Sequence, residues 1–60
     1  MKETRVDFEP IFRLSAQLER ETWCYKNIGD YARDWAIFFY AGYAIFHKPE
    51  HATAFALRWC

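Results

Sequence analysis

The stretch Trp35-Ala-Ile-Phe-Phe-Tyr-Ala-Gly-Tyr-Ala-Ile-Phe46 is a run of twelve uncharged residues that decides the fold. Its aromatic residues and isoleucines favour strands, and a glycine in the middle of an aromatic run suits a tight turn. This pattern predicts a β-hairpin with strands Trp35–Tyr40 and Tyr43–Lys48, joined by Ala41-Gly42. Three alanines favour helix instead, so one buried helix from Tyr31 to Phe46 is the alternative. The run is shorter than the roughly 20 residues that a membrane-spanning helix needs.

The segment before this run has a helical pattern. Apolar or small residues recur at steps of three and four, and charged or amide side chains occupy most other positions. The recurring residues are Phe8, Ile11 or Phe12, Ser15, Leu18 and Thr22 or Tyr25. Asp7 can cap the start, Pro10 falls in the first turn where no N–H is needed, and Gly29 can follow the end. We therefore predict a helix from Asp7 to about Lys26.

The segment after the run has the signals of a short helix. Pro49 suits its first position, and Glu50 and Arg58 have the charges that the two ends of a helix favour. One face would consist of Ala52, Phe55 and Trp59. The chain is thus predicted to be one α+β domain over residues 1–60, ordered N-terminal helix, β-hairpin, short C-terminal helix. An all-α three-helix arrangement is the alternative.

The end of the chain resembles a known group of proteins. The string Phe46-His-Lys-Pro-Glu-His-Ala-Thr-Ala-Phe-Ala-Leu-Arg-Trp59 is similar to the strand-to-helix ending of small uncharacterised tailed-phage proteins. In those proteins F-x-x-P-E-x-A-x-x-F-x-L-x-W closes a compact α+β domain. The resemblance covers about a quarter of the chain, contains no catalytic residue, and implies a strand before Pro49 and a phage origin.

Composition limits both size and partners. Sixty residues allow a single domain, which buries only roughly 60% of its unfolded surface and so gains from a partner subunit. With 53% hydrophobic and 22% aromatic residues, the chain is not intrinsically disordered. The net charge is zero and no basic run occurs, which disfavours nucleic-acid binding through phosphates and a polybasic membrane anchor.

Targeting and thiol chemistry point to the cytoplasm. The first residues lack the apolar core of a signal peptide. Cys24 and Cys60 are the two cysteines, 36 positions apart, and in the cytoplasm we expect free thiols, with a Cys24–Cys60 disulfide as the alternative. Localisation is expected to be cytoplasmic, in the host cell if the protein is phage-encoded.

The sequence contains no convincing site for chemistry. His47 and His51 are four apart, but a structural zinc site usually has closely spaced cysteine pairs that this chain lacks. Asp30, Arg33 and Asp34 fit a polar loop better than an acid–base pair in a cleft. No glycine-rich phosphate loop occurs. We predict no enzyme activity, no cofactor, no metal site and no catalytic residues.

The hairpin has more apolar surface than the domain can cover. Alternation would place Ile37, Phe39 and Ala44 on one side and Phe38, Tyr40, Tyr43 and Ile45 on the other. Two short helices can cover one of these sides only. An uncovered apolar patch on a small domain marks an interaction site. The predicted partner-binding residues are Trp35, Phe38, Tyr40, Tyr43 and Ile45.

The predicted function is therefore that of a small protein–protein interaction module. It would form a homodimer, a heteromeric complex or both, without nucleic acid or membrane as partner. With the phage resemblance, the specific hypothesis is an accessory protein that binds and inhibits a host protein. The alternative is a small single-stranded nucleic-acid-binding protein, in which the tryptophans and tyrosines stack on bases.

Overall fold

The computed structural model describes residues 3–59 and contains three strands and two helices. In chain order these are β1 (Thr4–Asp7), α1 (Leu14–Asn27), β2 (Trp35–Phe38), β3 (Tyr43–Phe46) and α2 (Pro49–Trp59). The strands form one antiparallel sheet in the order β1-β3-β2. The predicted α+β class is confirmed, and the all-α alternative is wrong.

The hairpin forms, but its strands are shorter than predicted. β2 ends at Phe38 and β3 begins at Tyr43, so the loop has four residues rather than two. The Gly42 N–H donates to the Phe38 carbonyl at 2.9 Å, and Gly42 has a φ of +83°. That backbone conformation is readily available to glycine. The loop begins at Phe39 because its carbonyl accepts a hydrogen bond from outside the hairpin, from the Ile11 N–H at 2.9 Å.

The first strand was not predicted from the sequence, and the N-terminal helix begins later than predicted. Residues 4–7 pair with β3, with Val6 opposite Ala44 and Asp7 opposite Tyr43. Asp7 is therefore the end of a strand and not a helix cap. Pro10 lies in the connection that crosses the hairpin loop, and α1 starts only at Leu14.

One face of the sheet and both helices enclose the core. The core residues are Cys24, Trp35, Ile37, Phe39, Ala44, Phe46, Ala52 and Phe55. Phe55 is central, because its ring centroid lies 5.2 Å from those of Phe46 and Trp59 and 6.2 Å from that of Trp23. Aromatic rings at these separations attract one another in addition to burying area.

The two helices are held differently. α2 begins at Pro49 as predicted and buries Ala52 and Phe55. α1 contributes one buried residue, Cys24. The flank of α1 that the sequence pattern marked as apolar, including Leu18, faces solvent. α1 is therefore the less firmly anchored of the two helices.

Candidate protein-binding surfaces

The sheet face that points away from the helices has an aromatic pair at its centre. We call this surface the outer face; it consists of Arg5, Asp7, Ala36, Phe38, Tyr43 and Ile45. Phe38 and Tyr43 are directly opposite each other in the β2–β3 register. Their rings stack, with centroids 4.8 Å apart and planes at 29°. Phe38 remains 40% exposed despite this contact, so the pair presents a flat apolar surface to solvent.

Charged side chains border this aromatic pair on the β1 side. The Arg5 guanidinium carbon lies 4.1 Å from the centroid of the Tyr43 ring. Arg5 Nε also donates to Asp7 Oδ1 at 2.9 Å. The arginine is thus held over the ring while its charge is balanced by the carboxylate, and the outer face has an apolar centre with a polar margin.

A shallow depression of about 320 Å³ lies next to the pair, around the start of β2. Ala36, Phe38 and Ile45 contribute apolar surface to it. Its charged and polar lining comes from Glu3, Tyr31, Arg33, Asp34 and His47. The depression is large enough to receive one side chain of a partner.

The turn beside this depression is ordered by Asp34. The Asp30 backbone N–H, 3.0 Å from Asp34 Oδ2, is the main cause that lowers the pKa of this carboxyl, and the neighbouring Arg33 lowers it further. Arg33 Nε lies 3.4 Å from the same oxygen. The Asp34 backbone carbonyl accepts from the His47 N–H at 3.0 Å. The charged cluster noted in the sequence therefore holds a turn together.

The structure separates the five predicted partner-binding residues into three groups. Phe38, Tyr43 and Ile45 lie together on the outer face, where Tyr43 and Ile45 are half-buried. Tyr40 is 68% exposed but lies in the hairpin loop. Trp35 is only 2% exposed, and its indole N–H donates to the Gly29 carbonyl at 2.9 Å. Trp35 points into the core and does not belong to the candidate surface.

A second exposed apolar surface was missed at the sequence level. It consists of Phe12, Leu14, Leu18, Tyr25 and Tyr40, each at least half exposed. Phe12 stacks on Tyr40, with ring centroids 5.5 Å apart. Leu18 and Tyr25 belong to the helical pattern described above, and a core helix usually buries such a stripe. The inward positions of α1 include the longer polar residues Gln17 and Arg20, both partly buried.

A cleft of about 450 Å³ separates the β1–α1 connection from α2. Phe8, Phe55 and Trp59 contribute aromatic walls, and Arg20 lies at its margin with its guanidinium carbon 5.1 Å from the Trp59 ring centroid. Asp7 and Glu9 place two carboxylates on the opposite side. The cleft is open, and its charges of both signs select no single class of ligand.

The histidines and the described cysteine are not arranged as a metal site. Among residues 3–59, no group of three or more His, Cys, Asp or Glu side chains is placed to hold a metal ion. His51 Nδ1 is buried without a hydrogen-bond partner from the described part of the chain. His47 is exposed in the turn before α2. The expected pairing state of Cys60 lies outside the described residues.

Cys24 is expected to be unreactive in the folded protein. Burial, with the nearby Glu21 carboxylate as a smaller cause, raises the pKa of its thiol to about 12, and the thiolate is the reactive form. In a Cys60→Ser variant, we expect iodoacetamide at pH 8 to leave Cys24 unmodified over hours and to modify it within minutes in 6 M guanidinium. Mass spectrometry of the intact chain measures this. Equal labelling rates in the two conditions would show that α1 does not protect the thiol.

Comparison of the chain with protein-family models, with curated proteins and with solved structures finds no match. Within residues 3–59, neither helix has the length and apolar character needed to cross a membrane.

Proposed function

We propose that this protein is a protein-binding module whose outer face receives a partner chain. The observation that supports it most directly is the stacked Phe38–Tyr43 pair on a sheet face that neither helix covers. Protein-binding surfaces combine an apolar centre rich in aromatic residues with a polar rim. Phe38, Tyr43 and Ile45 provide such a centre, and Arg5 and Asp7 lie beside it.

The depression beside the pair indicates what the partner contributes. Binding energy in interfaces is concentrated where an anchoring side chain fills a pocket. Ala36, Phe38 and Ile45 would contact an apolar or aromatic anchor. Arg33 and Asp34 would lie near its polar surroundings, and their opposite charges favour a partner segment of mixed charge.

The resemblance of residues 46–59 to small tailed-phage proteins suggests which organism the partner comes from. A phage-encoded module of this size, with no cofactor or catalytic group among its expected features, acts most directly by occupying a surface of a host protein. The partner we favour is therefore a bacterial host protein that loses activity when the outer face binds it.

Single-stranded nucleic acid is the competing occupant, because aromatic residues on a sheet can also stack on bases. Such platforms normally adjoin a positively charged groove. Here the Arg5 guanidinium next to Tyr43 is paired with Asp7 at 2.9 Å, and the chain has a net charge of zero. The electrostatics of the outer face thus favour protein over phosphate.

A charge placed at Phe38 should abolish partner binding. With wild-type protein as bait in bacterial host lysate, quantitative mass spectrometry should show a retained protein that Phe38→Lys loses at least tenfold. Leu57→Lys is the matched control, because Leu57 is 84% exposed on α2 and lies off the outer face. Induced expression of the wild-type chain should slow host growth, and expression of Phe38→Lys should not.

Two results would contradict the proposal. One is equal retention by the wild-type and Phe38→Lys baits, with both variants folded by circular dichroism. The other is quenching of tryptophan fluorescence by a single-stranded oligonucleotide that weakens with added salt and disappears in Phe38→Lys. That second result would assign the outer face to nucleic acid.

A further inference from the structure

Three exposed apolar residues of α1 lie on one flank of the helix. At 3.6 residues per turn, Leu14, Leu18 and Tyr25 fall within an arc of about 40°. On the opposite flank, the Trp23 ring centroid lies 5.2 Å from that of Trp59 in α2. The strip therefore faces away from α2 and towards the β2 side of the sheet. We call Leu14, Leu18 and Tyr25, together with Phe12 and Tyr40, the α1 ridge.

Contacts at both ends hold the α1 ridge beside β2. The Tyr25 ring meets the Trp35 ring edge-on at 5.2 Å, at the start of β2. Phe12 stacks on Tyr40 at 5.5 Å, just beyond the end of β2. Leu18 and its neighbours lie between these two contacts, so the ridge follows the free edge of the sheet.

The edge of β2 cannot itself accept another strand over any useful length. The Trp35 carbonyl accepts from the Ala32 N–H at 2.7 Å, and the Phe39 carbonyl accepts from the Ile11 N–H at 2.9 Å. Only the backbone of Ile37 remains between these two blocked positions. Short, blocked edges are a common protection against strand addition. Whatever covers the ridge must therefore pack by side chains.

The helix that carries the ridge would gain from being covered. Its single buried residue is Cys24, and no side chain within residues 3–59 caps its N-terminus at Arg13. A helix held by so little buried surface derives much of its stability from further packing. The ridge is where such packing is missing.

We propose that the α1 ridge binds a second copy of this chain, forming a twofold-symmetric homodimer with the two α1 helices antiparallel and Leu18 near the axis. A twofold interface needs a surface that complements itself. The apolar strip, which has the small polar residues Ser15 and Thr22 along one edge and Glu21 along the other, meets that requirement. The zero net charge of the chain means that two copies do not repel each other.

The exposed area reaches the lower limit for a specific interface. Taking about 150–200 Å² for each complete side chain, the exposed parts of the five ridge residues amount to on the order of 500 Å². Two ridges facing each other would therefore bury about 1,000 Å² in total, which is the lower limit for a specific interface.

The dimer would leave the outer face free. Cys24 places α1 against the inner side of the sheet, whereas Phe38 and Tyr43 point from the other side. Each dimer would therefore present two outer faces. A partner with two copies of its binding surface would bind both outer faces at once. Because the second contact is then intramolecular, the overall binding would be tighter than binding to one outer face.

The test is the native mass measured by multi-angle light scattering over a dilution series from 200 to 2 μM. We expect a dimer for the wild-type chain and a monomer for Leu18→Glu, with at least a tenfold increase in the dissociation constant. Leu57→Glu, at an exposed α2 position outside the ridge, and Phe38→Lys, on the outer face, should both remain dimeric. The melting temperature of the wild-type chain should rise with concentration, and that of Leu18→Glu should not.

A cross-linking experiment covers the case in which Leu18→Glu fails to fold. In a Cys60→Ser background, Leu18→Cys should form a disulfide-linked dimer on mild oxidation, and Leu57→Cys should not. A monomeric wild-type chain at 200 μM, or equal cross-linking of the two variants, overturns the proposal. Loss of partner capture by Phe38→Lys is a separate result, so failure of the dimer and failure of the outer-face interaction are distinguishable.

Discussion

Replacing Gly42 with alanine is expected to lower the free energy of unfolding by about 2–4 kcal/mol. Gly42 has a φ of +83°, which is strained for alanine. A Cβ at this position would lie 2.6 Å from the Phe8 carbonyl oxygen and 3.2 Å from Pro10 Cδ. The first neighbour is backbone and cannot rotate away. Because a 60-residue domain is stable by roughly 3–9 kcal/mol, the substitution should remove a large fraction of its stability.

The consequence extends beyond the hairpin. The Gly42 carbonyl accepts from the Phe8 N–H at 2.9 Å, so the loop and the β1–α1 connection are joined at this residue. Urea unfolding followed by circular dichroism measures the loss. Ala41→Ser, at the exposed neighbouring position, is the control and should change stability by no more than about 0.5 kcal/mol. Equal stabilities for the two variants would show that the loop adapts to a side chain at position 42.

Replacing Phe55 with alanine is expected to lower the free energy of unfolding by about 3–5 kcal/mol. Phe55 is among the fully buried side chains, and its ring contacts those of Phe8, Trp23, Phe46 and Trp59. Truncation of a core phenylalanine costs about 3–5 kcal/mol, including the cavity that it leaves. That loss is a large part of the roughly 3–9 kcal/mol by which a domain of this size is stable.

Two variants show whether the loss comes from the cavity. Phe55→Leu keeps most of the volume and should lose less than about 1.5 kcal/mol. Leu57→Ala, two residues along the same helix but exposed, should lose no more than about 0.5 kcal/mol. Near-ultraviolet circular dichroism and thermal unfolding measure the change. If Phe55→Ala unfolds cooperatively at a temperature close to that of Leu57→Ala, Phe55 does not contribute to the core as described.

The parts of the fold that were predictable have local signals. α2 begins with proline, has an acidic residue in its first turn and a basic residue in its last, and each of these acts within one turn of the helix. The pairing of the hairpin strands is also local, since only four loop residues separate β2 from β3. β2 is shorter than predicted because the Phe39 carbonyl bonds to Ile11, a residue distant in sequence.

The N-terminal region shows where local signals fail. Asp7 and Pro10 are good residues for a helix start, yet residues 4–7 form a strand. β1 pairs with β3, about 40 positions along the chain, and four residues are too few to reveal such a pairing by alternation. In the partner-binding surface, Trp35 was misplaced although strand alternation already puts it on the same side as Ile37 and Phe39, the side that the helices cover.

The amino-acid sequence alone favoured an α+β domain with an aromatic hairpin over three helices, and it determined that the chain has a proline-led C-terminal helix and more apolar surface than it can bury. It did so because propensity, turn chemistry and composition act locally or as sums. The tertiary structure decided which apolar residues remain outside. Phe38 and Tyr43 are exposed because both helices cover the other face of the sheet. Leu14 and Leu18 are exposed because α1 turns Cys24 inward. Both outcomes depend on contacts between distant segments, which no single stretch of the sequence specifies.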